Sequence, residues 1–158
     1  MARRTDNGFA TLLDTARVIV CCGSGGVGKT TTAAAMAVEA SRRGRRVVLI
    51  TIDPAKRLAD ALGLDQLSNT PSDVTLPDGS RIAAMMLDAR ATFDDVIRRN
   101  ARNDEQVRRI LGNPFYANVA SRLSGSQEYM AAEKLFDLHS DDRFDLVIVC
   151  LLYTSDAA

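Results

Sequence analysis

Residues 23–30 read Gly-Ser-Gly-Gly-Val-Gly-Lys-Thr, and the interpretation of the whole chain starts from this octapeptide. It matches the pattern G-x-x-x-x-G-K-[ST] in full. The apolar run 17–22, Arg-Val-Ile-Val-Cys-Cys, precedes it and predicts a buried strand. A run of good helix formers, 30–40, follows directly. Strand, glycine loop and helix in this order predict a phosphate-binding loop, and the alternative is a chance glycine-rich turn.

Such a loop would hold a nucleotide largely through its backbone. Glycines allow sharp turns with positive φ, and without side chains the amides can face a phosphate. The helix that follows directs its free N–H groups at the same anion. We expect Lys29 to reach the β- and γ-phosphates and the Thr30 hydroxyl to ligate Mg²⁺. The loop residues predicted to bind the nucleotide, ATP with Mg²⁺, are Gly23, Ser24, Gly25, Gly26, Val27, Gly28, Lys29 and Thr30.

Length and composition indicate one soluble domain without a strong overall electrostatic field. The chain has 158 residues and a formal net charge of zero, which gives no general attraction to nucleic acid or membrane. No apolar run is long enough to span a membrane, and residues 1–7 do not resemble a signal peptide, so the cytoplasm is the expected location. The basic run 42–46 is predicted to end the helix after the loop, with a nucleic-acid patch as the alternative.

The order of the predicted elements indicates an α/β fold with a mostly parallel sheet and flanking helices. The second and fourth strands are apolar throughout, as in strands buried on both faces. Residues 68–80 are polar and predict a loop. The predicted strands are 17–22, 47–52, 82–87 and 145–149. The predicted helices are 8–15, 30–43, 56–64, 90–101, 105–111, 114–123 and 127–139. Cys21, Cys22 and Cys150 are expected to be small buried hydrophobic residues.

Asp53 is the predicted catalytic carboxylate, together with Lys29 as the catalytic cation. A nucleotide hydrolase needs a carboxylate near Mg²⁺ and a group that positions the attacking water. Asp53 follows the second strand, which we expect to neighbour the loop strand, and ligands gather at the carboxyl ends of such strands. Pro54 restricts its backbone. Thr30 and Asp53 are thus the predicted metal-site residues, and the alternative for Asp53 is a helix N-cap.

Two segments together resemble the arsenical pump-driving (ArsA) ATPase family, which includes the ATPases that target tail-anchored membrane proteins. They are 25–31, Gly-Gly-Val-Gly-Lys-Thr-Thr, and 51–60, Thr-Ile-Asp-Pro-Ala-Lys-Arg-Leu-Ala-Asp. The Ile-Asp-Pro-Ala block at 52–55 separates this family from the ParA and MinD partition ATPases, the alternative class. The resemblance implies a P-loop NTPase fold of the deviant Walker A class. It also implies that Thr31 touches the α-phosphate and that Asp53 orients the hydrolytic water.

The same resemblance implies partners, and the chain departs from it at one loop position. Family members act as dimers or tandem halves, so a homo- or heterodimer of ATPase subunits is expected, with a membrane-protein client or pump partner and no nucleic acid. Asp60 falls on a switch-region aspartate of lesser role. Ser24 stands where the class carries a second lysine that reaches the partner's nucleotide. The sequence therefore leaves a nucleotide-dependent binding module with little turnover as a further alternative.

The last nine residues do not fit the family pattern. The strand 145–149 should be followed by the Walker B aspartate and Thr-Pro-Pro, but the chain continues with Cys150 and Leu-Leu-Tyr-Thr-Ser-Asp-Ala-Ala. This tail resembles a translated sequencing adapter, with a genuine divergent terminus as the alternative. We therefore divide the chain into residues 1–149, the N-terminal part of a P-loop ATPase domain, and the tail 150–158. Without the Walker B carboxylate, switch II and adenine pocket, the fragment is expected to dissolve poorly and turn over ATP negligibly.

Overall fold

A computed structural model describes residues 8–24, 26–52, 57–116 and 126–151. The chain forms five strands and six helices in this part, numbered here in chain order. The helices are α1 Gly8–Thr15, α2 Lys29–Arg42, α3 Arg57–Leu62, α4 Ala89–Asn100, α5 Asp104–Leu111 and α6 Ser126–His139. The strands are β1 Val18–Cys21, β2 Val47–Thr51, β3 Ser72–Thr75, β4 Arg81–Met86 and β5 Leu146–Cys150. The predicted helix 114–123 is helical at 114–116, and its remainder lies outside the described residues.

The five strands form one sheet in the order β1-β5-β2-β4-β3. The first four strands in this order run parallel, and β3 pairs antiparallel with β4. This architecture confirms the predicted α/β fold with a mostly parallel sheet. The carboxyl ends of β1, β5, β2 and β4 therefore meet at one edge of the sheet, where the glycine loop follows β1.

The interpretation of 68–80 as a loop was wrong, because it contains β3. The local signals are those of a turn, and Leu76 and Ser80 do close one with a backbone hydrogen bond of 2.8 Å. Val74, 5% exposed, packs into the core while its neighbours in β3 stay exposed. Pairing with β4 and the burial of this one valine therefore outweigh the polar composition.

Two expectations about the strands near the loop were also wrong. The strand that leads to Asp53, β2, does not neighbour the loop strand, because β5 lies between them. All five residues of β5 are buried, as expected for an apolar strand covered on both faces, and this explains its central place. By contrast, β1 is not fully buried: Ile19 is 8% exposed but Val20 is 48% exposed. It pairs only with β5 among the described strands, so it lies at the edge of the sheet.

Helices cover the two faces of the sheet unequally. Four alanines of α2, which let the helix approach closely, face Leu49 and Ile148; they are Ala33, Ala34, Ala37 and Ala40. On the opposite face Leu138 of α6 packs against Val147 and Val149. Each large side chain buried in this way contributes about 1.5–3 kcal/mol relative to exposure. The packing of α2 on the sheet holds the start of that helix, and thus the glycine loop, at the carboxyl edge.

The basic run 42–46 ends α2 as predicted. Gly44 takes a φ of +85° after the last turn, a conformation that favours glycine. The arginines around it bind groups of the protein itself: Arg42 pairs with Asp78, and Arg43 with Asp14 and Glu39. Arg45 and Arg46 bind the segments before β1 and β5. The run therefore ties α2 to its neighbours.

Candidate functional site

Three described glycines of the loop between β1 and α2 have positive φ, and two of them are in the left-handed region. Gly26 has a φ of +77° and Gly28 a φ of +85°. A Cβ added at either residue would meet nothing within 4 Å. The requirement is therefore conformational, since residues with side chains adopt this left-handed region at a cost. Gly25 lies outside the described residues.

Among the described residues, no side chain caps the start of α2. Gly28 is the N-cap and gives no side-chain hydrogen bond, and no acidic residue stands in the first turn. Two other helices of the same chain are capped: the Asp88 carboxylate accepts from the Ala91 amide of α4, and Asn103 accepts from the Gln106 amide of α5, both at 2.9 Å. The first amides of α2 and the positive end of its dipole are therefore available to an anion.

Lys29 is directed back along the loop. Its ammonium donates a 2.5 Å hydrogen bond to the carbonyl oxygen of Ser24, and its alkyl chain runs past Gly23. Lys29, Thr30 and Gly23 are partly exposed residues, whereas Ser24, Val27 and Thr31 are exposed. The structure thus brings the predicted loop residues other than Gly25 into one turn around the start of α2.

Cys150 takes the position that faces the Thr30 hydroxyl, the predicted Mg²⁺ ligand. Its Sγ lies 3.6 Å from Thr30 Oγ1, at the end of the central strand β5. The sequence pattern calls for a carboxylate here. A thiol is a poor ligand for Mg²⁺, which prefers oxygen ligands. The structure therefore places a thiol where the family pattern has the Walker B aspartate.

A second thiol stands beside the first. Cys21 of β1 is the in-register neighbour of Cys150, an adjacency the sequence analysis missed because it treated the cysteines separately. The strand order, with β5 next to β1, was the missing information. Burial raises the pKa of the Cys21 thiol, and Cys150 and Cys22 raise it further. Cys150 is buried and Cys21 partly buried, but Cys22 is exposed, so the expectation that all three are buried was wrong for Cys22.

The remaining predicted residues lie apart from the loop or outside the described part. Asp53, the predicted catalytic and metal-site residue, lies outside the described residues, as do Pro54 and Ala55. Asp60 is exposed on α3. Within the described ranges, no helix combines the length and apolar character needed to cross a membrane.

Comparison with known proteins extends these observations. A family model described as anion-transporting ATPase, ArsA ATPase, matches residues 16–155. The chain is 28% identical to ATPase GET3 of Malassezia globosa over 131 residues, 82% of this chain and 37% of that protein. It is 31% identical to ATPase get3 of Aspergillus terreus over 119 residues, 74% of this chain and 34% of that protein. The chain thus spans about a third of the length of these relatives.

Among solved structures, cobyrinic acid a,c-diamide synthase from Mycobacterium smegmatis, with bound ADP and magnesium, matches 87% of this chain and 51% of its own. The TM-score is 0.49 and the sequence identity 25%. The match to the family model covers most of the chain and includes the glycine loop and all five strands. The predicted cofactors, ATP with Mg²⁺, are those used by ATPases of the matched family. The chain belongs to the ArsA family of anion-transporting ATPases.

Proposed function

We propose that this chain is the nucleotide-binding portion of a Mg²⁺-dependent ATPase and binds ATP at the loop 23–30. The observation that carries the proposal is the uncapped start of α2 behind two left-handed glycines. Backbone amides and the helix dipole there favour a phosphate, and Lys29 lies within the same turn. The family membership supports ATP as the nucleotide.

Three residues at the end of the loop and the start of α2 have proposed roles in this binding. Lys29 exchanges the Ser24 carbonyl for a β- or γ-phosphate oxygen, a stronger charge-assisted hydrogen bond. Thr30 directs its hydroxyl at Mg²⁺, and Thr31, one residue further along α2, contacts the α-phosphate. Bound Mg²⁺ neutralises charge that develops on the phosphates. Asp53 remains our candidate for the residue that orients the attacking water.

The contact between Thr30 and Cys150 supports a second property, weak turnover by this chain. A thiol at 3.6 Å from the proposed metal-binding hydroxyl supplies no carboxylate oxygen to hold Mg²⁺. Ser24 likewise supplies no cation that could reach a partner's nucleotide. We therefore propose that the chain binds nucleotide but hydrolyses it slowly. The second candidate function, a nucleotide-dependent binding module, follows from the same contact.

A titration with a fluorescent ATP analogue, with and without Mg²⁺, tests nucleotide binding directly. Cys150→Asp places a carboxylate beside Thr30, and Cys150→Asn is the neutral control of similar size. We expect Cys150→Asp to strengthen the Mg²⁺-dependent part of binding by about tenfold, the effect of groups that orient metal ligands. Cys150→Asn should resemble the original chain.

Two results would contradict these proposals separately. Absence of saturable nucleotide binding by the folded chain would remove the nucleotide-binding function. Equal Mg²⁺ dependence in Cys150→Asp and Cys150→Asn would show that position 150 does not act on the metal. Multiple-turnover hydrolysis by the original chain at the rate of a complete ATPase would remove the proposal of weak turnover.

Partners and location are proposed for the longer protein. GET3-like relatives are ATPases a little more than twice the length of this chain, and they support a cytoplasmic ATPase that pairs with a second ATPase subunit. A membrane-protein client or a pump subunit would then be the partner of that assembly. Sedimentation of the longer protein with ADP and with a nonhydrolysable ATP analogue tests the pairing. If the triphosphate drives dimer formation, a dimer-sized species forms only with the ATP analogue.

A further inference from the structure

A cavity of about 400 Å³ lies at the amino ends of the parallel strands, away from the glycine loop. Its wall comes from the starts of β2 and β4, the edge strand β3 and the segment before β5. Four of its ten lining residues are arginines and one is an aspartate; the ten are Arg45, Arg46, Val47, Pro71, Asp73, Arg81, Ile82, Ala83, Arg143 and Phe144. Such a lining attracts an anion with an apolar part.

Two of the four arginines in the lining are bound by groups of the protein itself. The Arg45 guanidinium binds three backbone carbonyls, those of Leu13, Ala16 and Asp145. Arg46 holds the Asp145 carboxylate through both side-chain and backbone donors. These two arginines are occupied by the protein, so a ligand must pair with the other two.

Arg81 and Arg143 are the groups available to a ligand. Within the described residues the Arg81 guanidinium makes no hydrogen bond or ion pair, although Asp73 lines the same cavity. Among the described residues, Arg143 forms an ion pair with Asp141, two residues away, in an exposed pair that water screens, and it also interacts electrostatically with Asp73. It also lies 5.2 Å above the Phe144 ring. An acidic group could therefore join these arginines beside an aromatic surface.

We propose that this cavity binds a small anionic ligand with an apolar group, its carboxylate or phosphate pairing with Arg81 and Arg143 and its apolar part lying on Phe144 and Pro71. The site is independent of the glycine loop, and its proposed ligand need not be a nucleotide. A carboxylate and a phosphate ester share the required chemistry. The experiment below distinguishes them.

The chain contains no tryptophan, so Phe144→Trp introduces a single fluorescent reporter into the cavity. Tryptophan also preserves an aromatic face for Arg143. The probes are phenylacetate, phenyl phosphate and uncharged benzyl alcohol, each titrated with ADP and Mg²⁺ at saturation so that the glycine loop is filled. We expect phenylacetate or phenyl phosphate to quench the fluorescence saturably at about 1–10 mM, the range of very small ligands. The stronger of the two identifies the acidic group.

Arg81→Gln in the same background removes the charge but keeps a polar side chain. We expect it to weaken binding about fivefold or more, Arg81→Lys to restore part of the affinity, and Arg109→Gln, on the exposed face of α5, to change nothing. Equal quenching by benzyl alcohol, unchanged binding in Arg81→Gln, or no saturable quenching would each overturn the proposal. If Phe144→Trp does not fold, the Ile82 methyl resonances of the original chain report on the same cavity.

Discussion

The two ends of the parallel sheet use their polar groups differently. At the amino end, Arg45 and Arg46 make six hydrogen bonds shorter than 3.0 Å. The acceptors are the Asp145 carboxylate and the backbone carbonyls of Leu13, Ala16, Asp142 and Asp145. At the carboxyl end, Lys29 makes one side-chain hydrogen bond within the described part of the chain, to a carbonyl of its own loop. No described side chain caps the start of α2 there.

This difference separates groups that hold the fold from groups that can change partner. At the amino end, the hydrogen bonds from Arg45 to backbone carbonyls connect segments about 30 to 100 residues apart. Loss of these hydrogen bonds therefore loosens several elements. A lysine bonded to a carbonyl five residues away joins nothing distant. The carboxyl end has few hydrogen bonds to distant segments, as expected for a site that exchanges protein contacts for ligand contacts. The comparison predicts opposite results for substitutions at the two ends.

The largest expected effect is on stability, at the amino end. Arg45→Met keeps an unbranched side chain but leaves three partly buried carbonyls without their donor. We expect the free energy of unfolding to fall by about 3–4 kcal/mol, the loss of charge-assisted hydrogen bonds with unsatisfied acceptors. Urea denaturation followed by circular dichroism measures it. Nucleotide affinity of the folded fraction should stay unchanged, and a fall below about 1 kcal/mol would show that these bonds are replaced by water.

Lys29→Ala should show the reverse pattern. Removal of the ammonium takes a charge-assisted contact from the phosphates, which costs about 2–3 kcal/mol, or roughly a hundredfold in nucleotide affinity. The free energy of unfolding should change by less than about 0.5 kcal/mol, because the lysine is partly exposed and bonded only within its loop. Titration and urea denaturation on the same preparation measure both quantities. Large destabilisation with unchanged affinity would reverse the assignment of the two ends.

The sequence predicted the carboxyl end better than the order of the strands. The octapeptide specifies its own conformation, since Gly26, Gly28, Lys29 and the following helix are neighbours along the chain. Local patterns also predicted the bounds of β2 and β5 to within one residue, since these strands are buried on both faces. The sequence did not predict the contacts between distant segments. The family pattern led us to expect that position 150 faces Mg²⁺. The sequence did not predict the strand order that brings position 150 next to Thr30.

The errors share one physical cause. The insertion of β5 between β1 and β2, the pairing of β3 with β4 and the exposure of Val20 all depend on which surfaces meet after folding. In a four-residue strand the residue types do not show which face is buried: β1 is apolar throughout although Val20 is exposed, and β3 has one apolar residue, Val74. The cavity around Arg81 was beyond sequence reasoning for the same reason, since its lining comes from four separate segments.

A smaller effect is expected at the loop backbone. Gly28→Ala forces a side chain into a φ of +85°, and this conformation costs about 1–2 kcal/mol. Gly8→Ala, at a glycine without positive φ at the start of α1, is the control and should be neutral. We expect Gly28→Ala to lower both stability and nucleotide affinity, since a relaxed loop no longer directs its amides at the phosphate. Unaltered affinity would show that the loop tolerates another path.

The smallest expected effect returns to the amino end and depends on pH. The Arg46 guanidinium and amide lower the pKa of Asp145 to about 2, below the ordinary value of about 3.9 for an unfolded chain. A carboxylate with a lowered pKa in the folded state stabilises the protein above the unfolded pKa, and this contribution disappears as the pH falls from about 4 towards 2. The Asp145 side chain is 35% exposed, so water reduces the contribution to about 1 kcal/mol.

Asp145→Asn keeps the shape of the side chain and removes its charge. We expect the variant to be less stable than the original chain by this amount between pH 5 and pH 8, and the difference to shrink steadily below pH 4. Urea denaturation at pH 7, 5, 4 and 3 measures it, and Asp104→Asn, an exposed substitution on α5, serves as the control. A difference that persists unchanged at pH 3 would mean that the hydrogen-bond geometry, and not the carboxylate charge, joins Arg46 to β5. The amino end would then be held by neutral hydrogen bonds, which hold equally well at any pH.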